Sequence, residues 1–189
     1  MLNNIALVCL TNIGDGVLLS PCLAALAERS PKLNIVLVAK PSVCELYGRD
    51  NRIKTFVPFT CSWFPGPNGR HDGLKGFYRT VQTLRALQCR VALNTASDLR
   101  TNLLLRLAGV TRLISSYGRG GNFLSNSLVG AELVRQHEAE RQLQLAAAFL
   151  NEELGHYQLR IVPGDEDVRA AKLLFAECVT EEGAVVAIH

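Results

Sequence analysis

Thr11-Asn12-Ile13-Gly14-Asp15-Gly16 sets a carboxylate between two glycines, directly after the apolar run IALVCL. Glycine lets the chain turn tightly and lets a ligand come close to the backbone. If a helix starts here, its free N–H groups can satisfy a carboxylate or hold a phosphate. Asp15 then has two open roles. It can cap the helix, as aspartate often does, or it can act as a general base toward a bound hydroxyl. The two are compatible, because a cap also fixes the position of the group. A dinucleotide fingerprint is not met: Gly14 and Gly16 supply its first pair, but Leu19 stands where the third glycine belongs, and 35–39 ends in Ala39-Lys40 without an acidic residue. No Gly-Lys-Ser/Thr follows either, which excludes a phosphate loop of the nucleotide-hydrolysing kind.

Other groups that can do chemistry are more scattered. Arg100, in Asp98-Leu99-Arg100-Thr101, can grip an anion bidentately or simply be a solvated arginine at a helix start. Arg70 and His71 lie in a Gly/Pro/Asn-rich loop over 60–72, where exposed polar residues are common. Lys40 ends an apolar run. His137 and Glu140 stand three apart at the start of a helical pattern, where polar residues are expected on structural grounds alone. Trp63 and Phe64 can stack on a sugar, touch lipid or pack locally. The six cysteines form no C-x-x-C, and the four histidines show no ligand spacing, so reduced thiols and no metal site are expected.

These residues need a scaffold that brings strand ends together, and the hydropathy pattern supplies one. Strands are predicted at 5–10, 35–39, 53–58, 90–94, 113–115 and 184–188, with an extended run at 157–162. Helices are predicted at 17–29, 42–47, 74–87, 99–108, 138–154 and 165–178. Strands alternating with helices imply an α/β fold: a Rossmann-like parallel sheet with helices on both faces. In such sheets ligands bind at the carboxyl ends of the strands, which is where Asp15, Lys40 and Arg100 all fall.

Composition narrows the function. At 189 residues with 48% hydrophobic and 20% charged residues, the chain suits one substantial domain and is not a disordered polyampholyte. The net charge of +3 conceals an asymmetry: residues 1–131 carry 15 Lys/Arg against 6 Asp/Glu, and 132–189 carry 5 against 11. Arginine outnumbers lysine 15 to 5. A basic, arginine-rich front points to an anionic ligand. It carries no recognised nucleic-acid motif, so nucleic acid is not expected as the partner. With no basic leader and no run of ~20 uncharged apolar residues, a soluble cytoplasmic protein is expected.

The order of these features resembles the family 9 glycosyltransferases, which include the heptosyltransferases of lipopolysaccharide core synthesis. The resemblance runs through NIGDGVLLSPCLAALAERSPKLNIVLVAKPSVCELY (12–47), SDLRTNLLLRLAGVTRLISS (97–116) and HEAERQLQLAAAFLNEELG (137–155), with AVVAIH at the end. It implies the N-terminal half of a GT-B enzyme, in which residues 1–178 form the acceptor-binding domain. Residues 179–189 would then be the linker and first strand of a nucleotide-sugar-binding domain. It further implies an inverting, metal-independent transfer of a heptose or similar sugar, with Asp15 as catalytic base and Asn12, Gly14, Gly16 and Arg100 on the acceptor. No cofactor is implied beyond a donor substrate such as ADP-heptose. The acceptor would be an anionic glycolipid at the cytoplasmic face of the inner membrane, and these 189 residues alone would not turn over. The other reading is a non-catalytic Rossmann-like module that binds an anionic glycan or lipid headgroup.

Overall fold

The computed structural model describes residues 4–96, 98–118, 120–130 and 137–178. Six strands form one sheet: β1 (Asn4–Cys9), β2 (Asn34–Ala39), β3 (Ile53–Pro58), β4 (Val91–Asn94), β5 (Arg112–Ser116) and β6 (Ser127–Val129). Their order is β3-β2-β1-β4-β5-β6, and every pairing is parallel. The helices are α1 (Ile13–Leu18), α2 (Ser20–Arg29), α3 (Pro41–Leu46), α4 (Gly73–Ala86), α5 (Leu99–Leu107), α6 (Glu138–Leu150) and α7 (Asp165–Cys178).

A parallel strand covered by helices on both sides must be apolar on both faces. In β1 the two faces separate cleanly. Ile5, Leu7 and Cys9 join a core with Leu23 and Leu26 of α2 and Leu145 of α6. Ala6 and Val8 join a second core with Val81 and Leu84 of α4 and Leu104 and Leu105 of α5. The expected Rossmann-like sheet with helices on both faces is what forms.

The strand order reverses at β1, which pairs with β2 on one side and β4 on the other. Crossovers leave β1 and β4 in opposite directions, so their carboxyl ends open a crevice between them.

Several boundaries differ from the sequence pattern. The helix expected over 17–29 is two helices, beginning at Ile13 and interrupted at Leu19. Pro21 has no N–H to donate; in the first turn of α2 none is needed, whereas one continuous helix would lose a bond there. The α6 helix stops at Leu150 rather than 154, because Asn151 takes the left-handed conformation at φ 57° and closes it before Gly155. Residues 157–162 form no strand; Arg160 N–H instead donates to Ser20 Oγ at 3.0 Å. The strand β6 was not expected at all. The strand expected at 184–188, like the whole 179–189 segment, lies outside the described residues.

Candidate active site

Where β1 runs out, Asn12 is the N-cap of α1 (φ −85°, ψ 169°), and Asp15 sits three residues into the helix. The capping position belongs to Asn12, not to Asp15. The Asp15 carboxylate nonetheless reaches back, accepting from the Asn12 N–H at 3.3 Å. One such bond leaves most of a carboxylate's acceptor capacity for a bound hydroxyl.

The two glycines differ in what they do. Nothing lies within 4 Å of where a Gly14 Cβ would be, so that side of the loop is open to a ligand. A Cβ on Gly16 would meet Val43 Cγ1 at 2.9 Å, so Gly16 lets α1 sit against α3. Its carbonyl also accepts from the Tyr47 hydroxyl at 2.7 Å. Burial holds both the Tyr47 phenol and the Cys9 thiol above their ordinary pKa values.

Asp15 lies on the wall of a cavity of about 270 Å³ at the sheet's crevice. The end of β1 contributes Thr11, the end of β4 Thr95, and the end of β5 Ser116 and Tyr117. Across from them α6 contributes Glu138, Arg141 and Gln142. Arg141 is ion-paired with Glu138 one turn away. Gln142, fully buried, donates to the Asp15 carbonyl at 3.3 Å and to Glu138 Oε1 at 3.4 Å, tying α6 to the β1 loop.

The remaining candidates scatter around this centre. Lys40 follows β2 with its side chain buried, and its ammonium donates to Asn12 Oδ1 (3.4 Å) and the Pro65 carbonyl (3.2 Å). It lines a second cavity of about 380 Å³ with Arg70 and His71. His71 Nδ1 accepts from the Gly73 N–H. Arg100 does not line the Asp15 cavity. It is paired with Asp98 at 3.3 Å and lies over the Trp63 ring, 5.1 Å from its centroid. Trp63 is locked in turn, donating to Thr101 Oγ1 at 3.0 Å and meeting Phe59 and Phe77 edge-on. His137 caps α6 through Nδ1, and Glu140 is exposed beyond it, away from Asp15.

Among the described residues no group of three or more His, Cys, Asp or Glu is placed to hold a metal ion, and no helix is long and apolar enough to cross a membrane. Cys9, Cys22, Cys44, Cys61 and Cys89 are free thiols.

No family model and no curated protein matches the chain. Solved structures do. A glycosyl transferase family 9 protein from Veillonella parvula superposes with TM-score 0.73 at 16% identity, covering 93% of this chain and 50% of its own. The E. coli ADP-heptose LPS heptosyltransferase II superposes with TM-score 0.67 at 15% identity, covering 92% and 50%. E. coli heptosyltransferase WaaC, solved with ADP-2-deoxy-2-fluoro heptose, gives TM-score 0.67 at 14% identity, covering 82% and 51%. The chain shares its fold with these proteins. It spans about half the length of each of these proteins.

Within that shared fold, sequence reasoning overlooked Thr95, Ser116, Arg141 and Gln142. Thr95 and Ser116 carried a usable signal, since each stands at the end of a predicted strand, on the ligand-binding edge of the sheet. Gln142 follows Glu138 by four residues, which puts both on one helix face. A buried amide network behind the cavity was missed as well. Asn102 accepts from Asn94 Nδ2 (2.7 Å) and donates to the Gly121 carbonyl (2.8 Å) and Ser125 Oγ (3.3 Å). It joins the end of β4 to the turn after β5.

Proposed function

We propose that the chain is the acceptor-binding half of an inverting, metal-independent glycosyltransferase that moves a heptose or similar sugar onto a glycan acceptor. The observation that carries this reading is the Asp15 carboxylate, held by Asn12 N–H on a cavity wall at the strand-order reversal of a glycosyltransferase fold. In this reading the acceptor enters past the open side of Gly14. Asp15 takes the proton of one acceptor hydroxyl as that oxygen attacks the anomeric carbon of a nucleotide-sugar donor. The new C–O bond forms on the face opposite the breaking one, whose electron pair leaves on the nucleoside diphosphate, so the anomeric configuration inverts. The second half of the enzyme would hold the donor, with ADP-heptose as the first candidate because a structural neighbour was solved with its fluoro analogue.

The basic front supports an anionic glycolipid acceptor, approached from the cytoplasmic face of the inner membrane. Lys40 and Arg70 line one cavity beside Asn12 and are better placed for such a group than Arg100, whose guanidinium is already paired.

The test is transfer from ADP-heptose to a lipopolysaccharide-core acceptor in the presence of EDTA, with the product's anomeric configuration read by NMR. The chain joined to its downstream domain is expected to give the inverted product, and the 189 residues alone none. A retained configuration, or turnover by the 189 residues alone, would overturn the proposal.

A further inference from the structure

Three side-chain atoms in the described structure are buried without a hydrogen-bond partner, Ser116 Oγ, Arg141 Nε and Gln142 Oε1, and Thr95 Oγ1 has only the Cys9 thiol to turn to. All four residues line the one cavity beside Asp15. Buried polar groups are nearly always paired, so a cluster of orphans around one space marks groups whose partners come from what fills it, water or a ligand that displaces water. Thr95, Ser116 and Gln142 are each more than nine-tenths buried, so these are fixed parts of the fold rather than solvated surface.

The chemistry of the orphans defines what fits. The Gln142 amide is oriented without ambiguity, because both contacts of its nitrogen are oxygen acceptors, the Asp15 carbonyl and Glu138 Oε1. Its oxygen therefore lacks a donor. Arg141 Nε–H lacks an acceptor. The hydroxyls of Thr95 and Ser116 can each do either. A ligand hydroxyl both gives and accepts a hydrogen bond, so two adjacent hydroxyls can serve this set. Charge disfavours the alternatives: among the described lining residues Asp15 and Glu138 are two carboxylates, and the one cation, Arg141, is already paired with Glu138. A phosphate or carboxylate entering here would meet net negative charge.

We propose that this cavity is a subsite for an uncharged vicinal diol of the acceptor sugar, with Ser116, Thr95 and Gln142 as specificity-determining residues beside Asp15. This deepens the glycosyltransferase reading and places the acceptor's anionic groups outside the cavity.

The test separates the subsite from the catalytic reading. Methyl mannoside, an uncharged sugar with a vicinal diol, is titrated into the 15N-labelled 189-residue chain, following the Gln142 side-chain amide; inorganic phosphate is the control. Methyl mannoside is expected to shift the Gln142 amide and phosphate to leave it unmoved. Ser116→Ala and, separately, Thr95→Val should each weaken the mannoside affinity about tenfold. Thermal melts should show Ser116→Ala at least as stable as the parent, because it removes an orphaned hydroxyl and nothing paired. No shift with mannoside, a shift with phosphate, or unchanged affinity in both variants would overturn the subsite. In the complete enzyme, Ser116→Ala should raise the acceptor KM about tenfold with kcat unchanged. A protein that transfers no sugar yet still shifts Gln142 with mannoside would refute the catalytic reading and leave the subsite standing.

Discussion

Replacing Asn102 with alanine should cost more stability than its neutral chemistry suggests. Asn102 is fully buried, as are its partners Asn94 and Ser115. Its removal leaves Asn94 Nδ2 without the acceptor it reaches at 2.7 Å, and the Gly121 carbonyl without the donor at 2.8 Å. Each buried group left unpaired costs about 1–3 kcal/mol, so two cost roughly 4 kcal/mol. Ser115 keeps its contact with Ser125 and adds little. For a domain of this size each kcal/mol moves the midpoint by about 2–4 °C, so the expected fall in Tm is roughly 12 °C. Differential scanning calorimetry at neutral pH reads this directly. Limited proteolysis should show earlier cutting within 118–125, because Asn102 is what fastens that turn to β4. A fall in Tm below about 3 °C, with no change in proteolysis, would show that water replaces the amide and that the network does not fasten the turn after β5 to β4.

Two further perturbations test the packing and the titration. Gly16→Ala should destabilise by about 1–3 kcal/mol through overpacking against Val43, and Val43→Ala in the same chain should recover most of it; urea unfolding midpoints of the three variants check this. The buried thiols predict an alkaline weakness: burial pushes Cys22 up to about 12 and Cys44 and Cys89 up to about 11, against about 8.5 for a free thiol. Folded pKa values above the unfolded value mean that this stability is fully present below about pH 8.5 and is lost as pH rises through 11 and 12. Urea midpoints should therefore decline above about pH 9, less steeply in Cys22→Ala, and a flat profile would contradict the assignment.

The sheet was legible because its strands are apolar on both faces, as strands covered by helices on both sides must be, and because such runs as IALVCL and NIVLVA alternate with helical patterns. What escaped was set by tertiary context. The β6 strand is three residues, Ser-Leu-Val, with two of them exposed, and it exists because β5 offers a free edge rather than because of its own pattern. The break at Leu19 is invisible to a hydrophobic period that runs unbroken from 17 to 29, although Pro21 announced it. Around the site, Asp15 and the open Gly14 could be picked out from their place after the first strand. Arg100 could not be judged, since its place over the Trp63 ring depends on a loop far back in the chain. Ser116 could have been picked out from its place at a strand end, but the buried, unpaired oxygens of Ser116 and Gln142 are properties of the folded chain alone.

The central claim is that Asp15 removes the acceptor proton. The measurement that addresses it most directly is kcat for sugar transfer by the complete enzyme carrying Asp15→Asn, a change that keeps size and the bond from Asn12 N–H but removes basicity. Loss of a positioned general base predicts a fall in kcat of about 10²- to 10⁴-fold, with the acceptor KM nearly unchanged. A variant that keeps kcat within about twofold of the parent, against that expectation, would contradict the claim and leave Asp15 as a helix-start carboxylate only.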